Sequence, residues 1–158
     1  MNNVFLLLEG VDRSGKTSTF KEIVKQSSGS YYMTDRTPLS VLVYAKIFKR
    51  NVNNKYFWNL LKVFLNYYNS YFIYFYADES ILKQRHVNTN EKYMNIKVHL
   101  REYNNFINKA FNKKILNFNN YIEIDTSNLN QKIIAKKIIK NTQNESRLSN
   151  RNKIFRIE

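Results

Sequence analysis

The clearest chemistry in this chain lies near its N-terminus, where Gly10-Val11-Asp12-Arg13-Ser14-Gly15-Lys16-Thr17 spells G-x-x-x-x-G-K-[ST]. Each fixed position has a physical reason. The glycines let a loop turn tightly enough for its N–H groups to face phosphate oxygens, and a helix starting at the loop adds its positive end. Lys16 is placed to bridge the outer phosphates of a nucleoside triphosphate, and the Thr17 hydroxyl to hold Mg²⁺. Gly10, Asp12, Arg13, Ser14, Gly15, Lys16, Thr17 and Ser18 form the expected phosphate-binding set. The chain has three glycines, and two of them occupy the two glycine positions of the motif.

Such a loop works only between a strand and a helix, and the flanking sequence supplies both. Asn3 to Leu8 is a continuous apolar run of the kind found in parallel sheets covered on both faces. Lys16 to Ser27 predicts a helix with Phe20, Ile23 and Val24 on one face and Gly29 just past its end. Further on, Ser30 to Thr34 predicts a strand. Pro38 predicts the first turn of a helix reaching about Lys49, and Lys55 to Asn69 an amphipathic helix. Tyr71 to Ala77 is strand-like by its aromatic and β-branched content. Helical patterns follow at Ser80 to Arg85 and Tyr93 to Phe111, with a polar stretch between them, then a strand at Tyr121 to Ile124 and a helix from Leu129 to about Lys140. Strands alternating with helices predict an α/β three-layer sandwich with a mostly parallel sheet of about four strands, like that of P-loop nucleoside triphosphate hydrolases. The expected division is a domain over 1–141 and a polar, basic tail over 142–158.

Leu8-Glu9-Gly10-Val11-Asp12-Arg13-Ser14-Gly15-Lys16-Thr17 resembles the L-E-G-x-D-x-x-G-K-[ST] loop of thymidylate kinases. The resemblance implies that Asp12 approaches the 3′-hydroxyl of an acceptor nucleotide. It also implies that Arg13, a mark of the eukaryotic and viral type, acts on the transferred phosphoryl group, where a guanidinium stabilises charge on the equatorial oxygens. Asp35-Arg36, with Ser40, Tyr44 and Ala45 following, is similar to the family's D-R-[YFH]-x-x-S-x-x-A-Y segment. By that likeness Asp35 lies near the metal with Thr17, while Arg36 grips the acceptor phosphate with Asp12 and Ser40 beside it. Arg85, Glu91 and Tyr93 fall in a stretch resembling the lid. Thr126, Ser127 and Asn128 resemble the adenine-edge loop, and read equally well as turn and helix-cap residues. The implied catalytic set is Lys16, Arg13, Asp12, Asp35 and Arg36.

The resemblance runs from about Val4 to Lys140, with one departure. Thymidylate kinases insert another strand and helices, with much of the thymine pocket, between the P-loop helix and the Asp-Arg strand. Here there is no room for that module, so an edge strand is expected to be lost. The expected function is phosphorylation of a nucleoside monophosphate, dTMP to dTDP, by ATP with Mg²⁺. The alternatives are a kinase-derived protein that binds nucleotide or RNA without turnover, and a deoxynucleoside kinase.

Composition sets the remaining bounds. There is no cysteine, which excludes disulfides and thiolate zinc sites, and the two histidines are too far apart for a local metal motif. The aromatic stretch from Val63 to Ala77 is interrupted by Asn66, Asn69 and Ser70, and no stretch reaches the ~20 apolar residues of a membrane span, so a cytoplasmic protein, in a cell or in a virus-infected host, is expected. The net charge of +14 attracts polyanions, yet the lysines are spread among 24 asparagines as a general compositional bias would leave them. Nucleic acid is therefore only weakly indicated as a partner, and a homodimer is left open.

Overall fold

The computed structural model describes residues 4–28, 30–67, 69–87, 95–117, 119–128, 130–144 and 155–157. In the interior of the sheet, β1 (Val4–Gly10) has Leu6, Leu7 and Leu8 fully buried. Because successive side chains of a strand point to opposite faces, Leu7 packs with Leu39, Leu61 and Phe72, while Leu6 and Leu8 pack with Ile23, Ile73 and Ile138. β2 (Tyr31–Thr34) and β3 (Asn69–Tyr76) pair in parallel with β1, β4 (Tyr121–Asp125) with β3, and β5 (Phe155–Ile157) with β4. The sheet order is β2-β1-β3-β4-β5. Helices α1 (Lys16–Ser27) and α6 (Gln131–Asn144) cover one face. α2 (Pro38–Ile47), α3 (Asn54–Tyr67) and α5 (Ile96–Asn112) cover the other, and α4 (Glu79–Val87) packs on α5. This is the expected three-layer sandwich.

The order of the strands positions the site. The chain leaves β1 for β2 on one side, and later leaves β3 for β4 on the other. Connections that depart in opposite directions open a crevice at the C-terminal ends of β1 and β3. The loop that follows Gly10 sits there.

Several details differ from the sequence expectations. The sheet has five strands rather than about four, because Phe155–Ile157 pairs with β4. α6 also runs to Asn144, so the expected boundary at 141 falls inside a helix. β2 is the edge strand, consistent with a lost neighbour on that side. In α1 the packed positions include Thr19, Ile23 and Ser27, whereas Val24 is exposed. The left-handed residue that ends α1 is Ser28 (φ 51°); Gly29 lies outside the described residues. α4 continues through His86, which is buried one turn after Leu82 instead of belonging to a polar break.

Candidate functional site

Backbone constraint builds the first wall of the site. Gly10 has φ 142°, and a Cβ there would stand 2.0 Å from the carbonyl oxygen of Phe75 on β3. Only glycine fits such an approach. Arg13 (φ 69°) and Gly15 (φ 89°) then turn the loop into α1. That helix starts with no side-chain cap and no acidic residue in its first turn. Its first N–H groups and positive dipole end are left for an anion. Lys16 folds back so that Nζ donates to the carbonyls of Gly10 (2.5 Å) and Val11 (2.9 Å). Burial pulls its pKa below the usual lysine value, attraction to Glu9 and Asp12 opposes this, and repulsion from Arg36 adds to it.

A cleft of about 330 Å³ opens beside the loop. Gly10, Asp12, Arg13, Gly15, Lys16, Thr17 and Ser18 line it from the loop and α1. Asp35, Arg36 and Ser40 line it from the end of β2 and the start of α2, and Arg85 from α4. These residues, far apart in sequence, meet in one cavity. Asp12 Oδ2 accepts a hydrogen bond from Tyr44 (2.8 Å), and the Ser40 hydroxyl donates to Thr37 O (2.8 Å). The Thr17 hydroxyl and the Asp35 carboxylate offer the hard oxygen ligands that Mg²⁺ takes.

Other predicted site residues stand apart. Ser14 is fully buried; its N–H goes to Val11 O (3.2 Å), and Oγ has no hydrogen-bond partner among the described residues. Thr126, Ser127 and Asn128 do not line the cleft. The Thr126 hydroxyl donates to Tyr76 O (3.0 Å), and Ser127 Oγ accepts from the Asp78 N–H (2.9 Å). Both bonds tie the turn after β4 to the end of β3. Arg85 clasps this turn, with Nη2 donating to Thr126 O (2.6 Å) and Nη1 to Thr126 Oγ1 and Arg13 O (both 3.2 Å). One guanidinium thus braces the loop against the turn. Glu91 and Tyr93 lie outside the described residues.

Four further residues matter that motif reading passed over as site residues. Glu9 is 1% exposed and lines the cleft. Its Oε1 accepts from Thr37 N (2.8 Å), Thr37 Oγ1 (2.6 Å) and Ser40 N (3.2 Å), while Oε2 accepts from Gly10 N (3.3 Å). One carboxylate therefore fastens the start of α2 to the end of β1. Burial raises its pKa above the usual carboxylate value, against the opposing pull of the Thr37 hydrogen bonds and Lys16. Tyr103 of α5 lines the cleft beside it, and burial followed by the field of Glu9 holds its phenol protonated. Tyr44 is likewise held protonated, by burial and then by Asp12. Gln131, the first residue of α6, completes the lining near Gly15. The Glu-Gly step of the motif was the one sequence signal pointing at Glu9.

With this geometry in hand, comparison with known proteins gives one informative likeness. No family model matches the chain, and no curated protein does. Among solved structures it is similar to the YorR protein from Bacillus subtilis, crystallised in complex with phosphorylated GDP. The two superpose with a TM-score of 0.70 at 21% identity, over 92% of this chain and 99% of that one. They share a fold.

Proposed function

We propose that this chain is an ATP- and Mg²⁺-dependent phosphotransferase whose acceptor is a nucleoside monophosphate, with dTMP as the favoured one. One observation carries the reading: Lys16, at the start of α1, and Arg36, between β2 and α2, line a single cleft, and the charge of Arg36 adds to the lowering of the Lys16 pKa. Two cations held toward one space are stabilised by anions placed between them, as donor and acceptor phosphates would be. The crystallised YorR complex with phosphorylated GDP is compatible with a nucleotide in this fold.

In this reading the loop N–H groups and the start of α1 cradle the donor phosphates. Lys16 exchanges its two loop carbonyls for phosphate oxygens. Arg36 orients the acceptor phosphate, and Arg13 faces the oxygens of the group in transfer. Asp12, released from Tyr44, takes the acceptor sugar hydroxyl. Thr17 and Asp35 would hold Mg²⁺, which supplies neutralisation of phosphate charge. Catalysis then rests on positioning and electrostatics.

The experiment is ATP consumption against a panel of nucleosides and nucleoside monophosphates, with Lys16→Ala as control. Loss of a charge-assisted phosphate contact lowers the rate by roughly 10²-fold or more while the protein stays folded. Undiminished turnover in folded Lys16→Ala refutes the proposal. The second reading, a nucleotide- or RNA-binding protein without turnover, draws on β2 being the sheet edge, with no further strand beside it among the described residues. MgATP binding with no turnover on any acceptor, whether monophosphate or deoxynucleoside, favours it.

A further inference from the structure

From Arg36 to Ala77 the sequence contains no Asp or Glu, but it carries Arg36, Lys46, Lys49, Arg50, Lys55 and Lys62. Much of that segment folds into α2, α3 and their connection, on the face of the sheet away from α1 and α6. Where α2 ends, a second cavity of about 400 Å³ opens. Leu42 and Phe106, both buried, with Val52 give it an apolar floor, and the exposed Lys46, Lys49 and Arg50 stand around it.

Three further facts separate this place from an ordinary solvated lysine face. First, aromatic and cationic groups are interleaved. The Arg50 guanidinium lies 5.2 Å over the ring of Phe48, which is 53% exposed, and Lys109 Nζ lies 4.9 Å over the ring of Phe106. Second, three of the last four carbonyls of α2, which would repel an anion, already accept a backbone hydrogen bond: Phe48 N–H donates to Tyr44 O, Lys49 N–H to Lys46 O and Arg50 N–H to Ala45 O. Third, no carboxylate lines the cavity among the described residues. The single acidic residue of α5, Glu102, is buried and paired with Arg101. Cations crowded without counter-charge around an apolar floor favour a ligand that is both anionic and flat.

We infer that this cavity binds a nucleotide unit of a single-stranded nucleic acid. The base lies on the apolar floor and the backbone phosphate is held by Lys46, Lys49 and Arg50, while Phe48, which does not itself line the cavity, carries the Arg50 guanidinium over its exposed ring. A cavity of this size falls in the range of small-ligand pockets. A basic groove with aromatic platforms is how unspecific single-strand binders hold their ligand. A strand fits better than a free nucleotide because the acid-free series continues past the cavity to Lys55 and Lys62, with Tyr56 exposed between them. Those positions can meet neighbouring phosphates and bases.

Fluorescence anisotropy of a labelled oligothymidylate of about ten nucleotides, titrated with the full chain at several salt concentrations, tests this. A fluorescent ATP analogue read in parallel keeps the nucleotide cleft separate. The double substitution Lys46→Gln with Arg50→Gln, at exposed positions, is expected to weaken the oligonucleotide about tenfold or more and to flatten the salt slope by roughly 1.4, two phosphate contacts' worth. It leaves the ATP analogue unaffected, and Phe48→Ala also weakens the strand. The inference is overturned if the double variant binds the strand as tightly as the parent chain, or if Lys16→Ala removes strand binding, which would put the strand in the P-loop cleft. Heparin binding as tightly, with Phe48→Ala silent, shows bare polyanion attraction and also overturns it. Displacement of the strand by micromolar dTMP reassigns the cavity to a free nucleotide and defeats the strand assignment. Because the ATP analogue is read separately, failure here leaves the phosphotransferase proposal standing, and the reverse holds too.

Discussion

The two walls of the nucleotide cleft are held in place by different means. The P-loop wall is backbone, pinned where Gly10 meets the Phe75 carbonyl and where Arg13 and Gly15 take left-handed conformations. The other wall, with Asp35 and Arg36, hangs from the end of a four-residue edge strand. Beyond it the start of α2 is fastened to β1 chiefly through one side chain, the Glu9 carboxylate. A wall made of backbone tolerates no change at its glycines and depends less on any one side chain, although Arg85 braces it. A wall held by a buried carboxylate can keep its fold and still lose its alignment.

The largest effect expected from this contrast is at Gly10. Gly10→Ala places a methyl group 2.0 Å from a carbonyl oxygen at a φ of 142° that side chains rarely adopt. The backbone of β1 or β3 must move, so a loss of more than about 3 kcal/mol is expected, seen as a collapsed urea midpoint. A midpoint equal to that of the parent chain would break the claim that this wall is fixed by backbone.

Glu9→Gln comes next and probes the other wall. The amide keeps an acceptor for Thr37 and Ser40 but turns an N–H₂ group toward Gly10 N, while removing a buried charge that desolvation disfavours. These stability changes oppose each other, so the melting temperature stays within a few degrees, a net of about 1 kcal/mol. Turnover falls roughly tenfold or more, because the start of α2, and Arg36 before it, loses its alignment with the loop. A parallel fall in melting temperature and kcat would instead make Glu9 a plain structural residue.

The same contrast decides what could be read from the sequence. The P-loop wall was legible because its constraints are local: glycine, lysine and threonine at fixed spacing, after an apolar run and before a helix. Asp35, Arg36 and Ser40 were legible only through their resemblance to a known segment. The role of Glu9 was not, because its partners are mainly backbone and hydroxyl groups 28 and 31 positions away. Tyr103 sits on the apolar stripe of α5 and reads as core, which by burial it also is. β5 was missed because three residues in a polar stretch become a strand only by pairing with β4, a contact no local pattern encodes. At Thr126 and Ser127 the local turn chemistry is what the bonds show, with Ser127 N–H on Asp125 Oδ1, whereas the side chain that caps the start of α6 is Asn130.

A smaller effect is expected at Arg36, where geometry can be changed without charge. Its guanidinium lines the cleft and lies 6.0 Å from the centre of the Tyr44 ring. An ammonium cannot reproduce the planar fork that grips a phosphate at two oxygens. Arg36→Lys is therefore expected to raise acceptor KM and lower kcat, each by about three- to tenfold, with ATP affinity in the absence of acceptor unchanged. A collapse of ATP binding in this variant would move Arg36 from the acceptor to the donor side.

The smallest expected effect concerns which base is accepted, and it follows from β2 being the sheet edge. Phosphate contacts from Arg36 and the P-loop can fix where a monophosphate sits, but they say nothing about its base. Selection among bases needs buried polar groups that are left unpaired by the wrong partner. Past Asp35 and Arg36 there is no further strand among the described residues to bury such groups against. Deoxynucleoside monophosphates are therefore expected to be phosphorylated with kcat/KM values within about tenfold of one another, a spread of ~1.4 kcal/mol. Steady-state rates on the four monophosphates give the spread directly. A preference for dTMP of several hundredfold would mean that the missing contacts come from elsewhere. A second copy of the chain is then the first candidate, and selectivity that falls on dilution, in step with the loss of a dimer in sedimentation, would identify it.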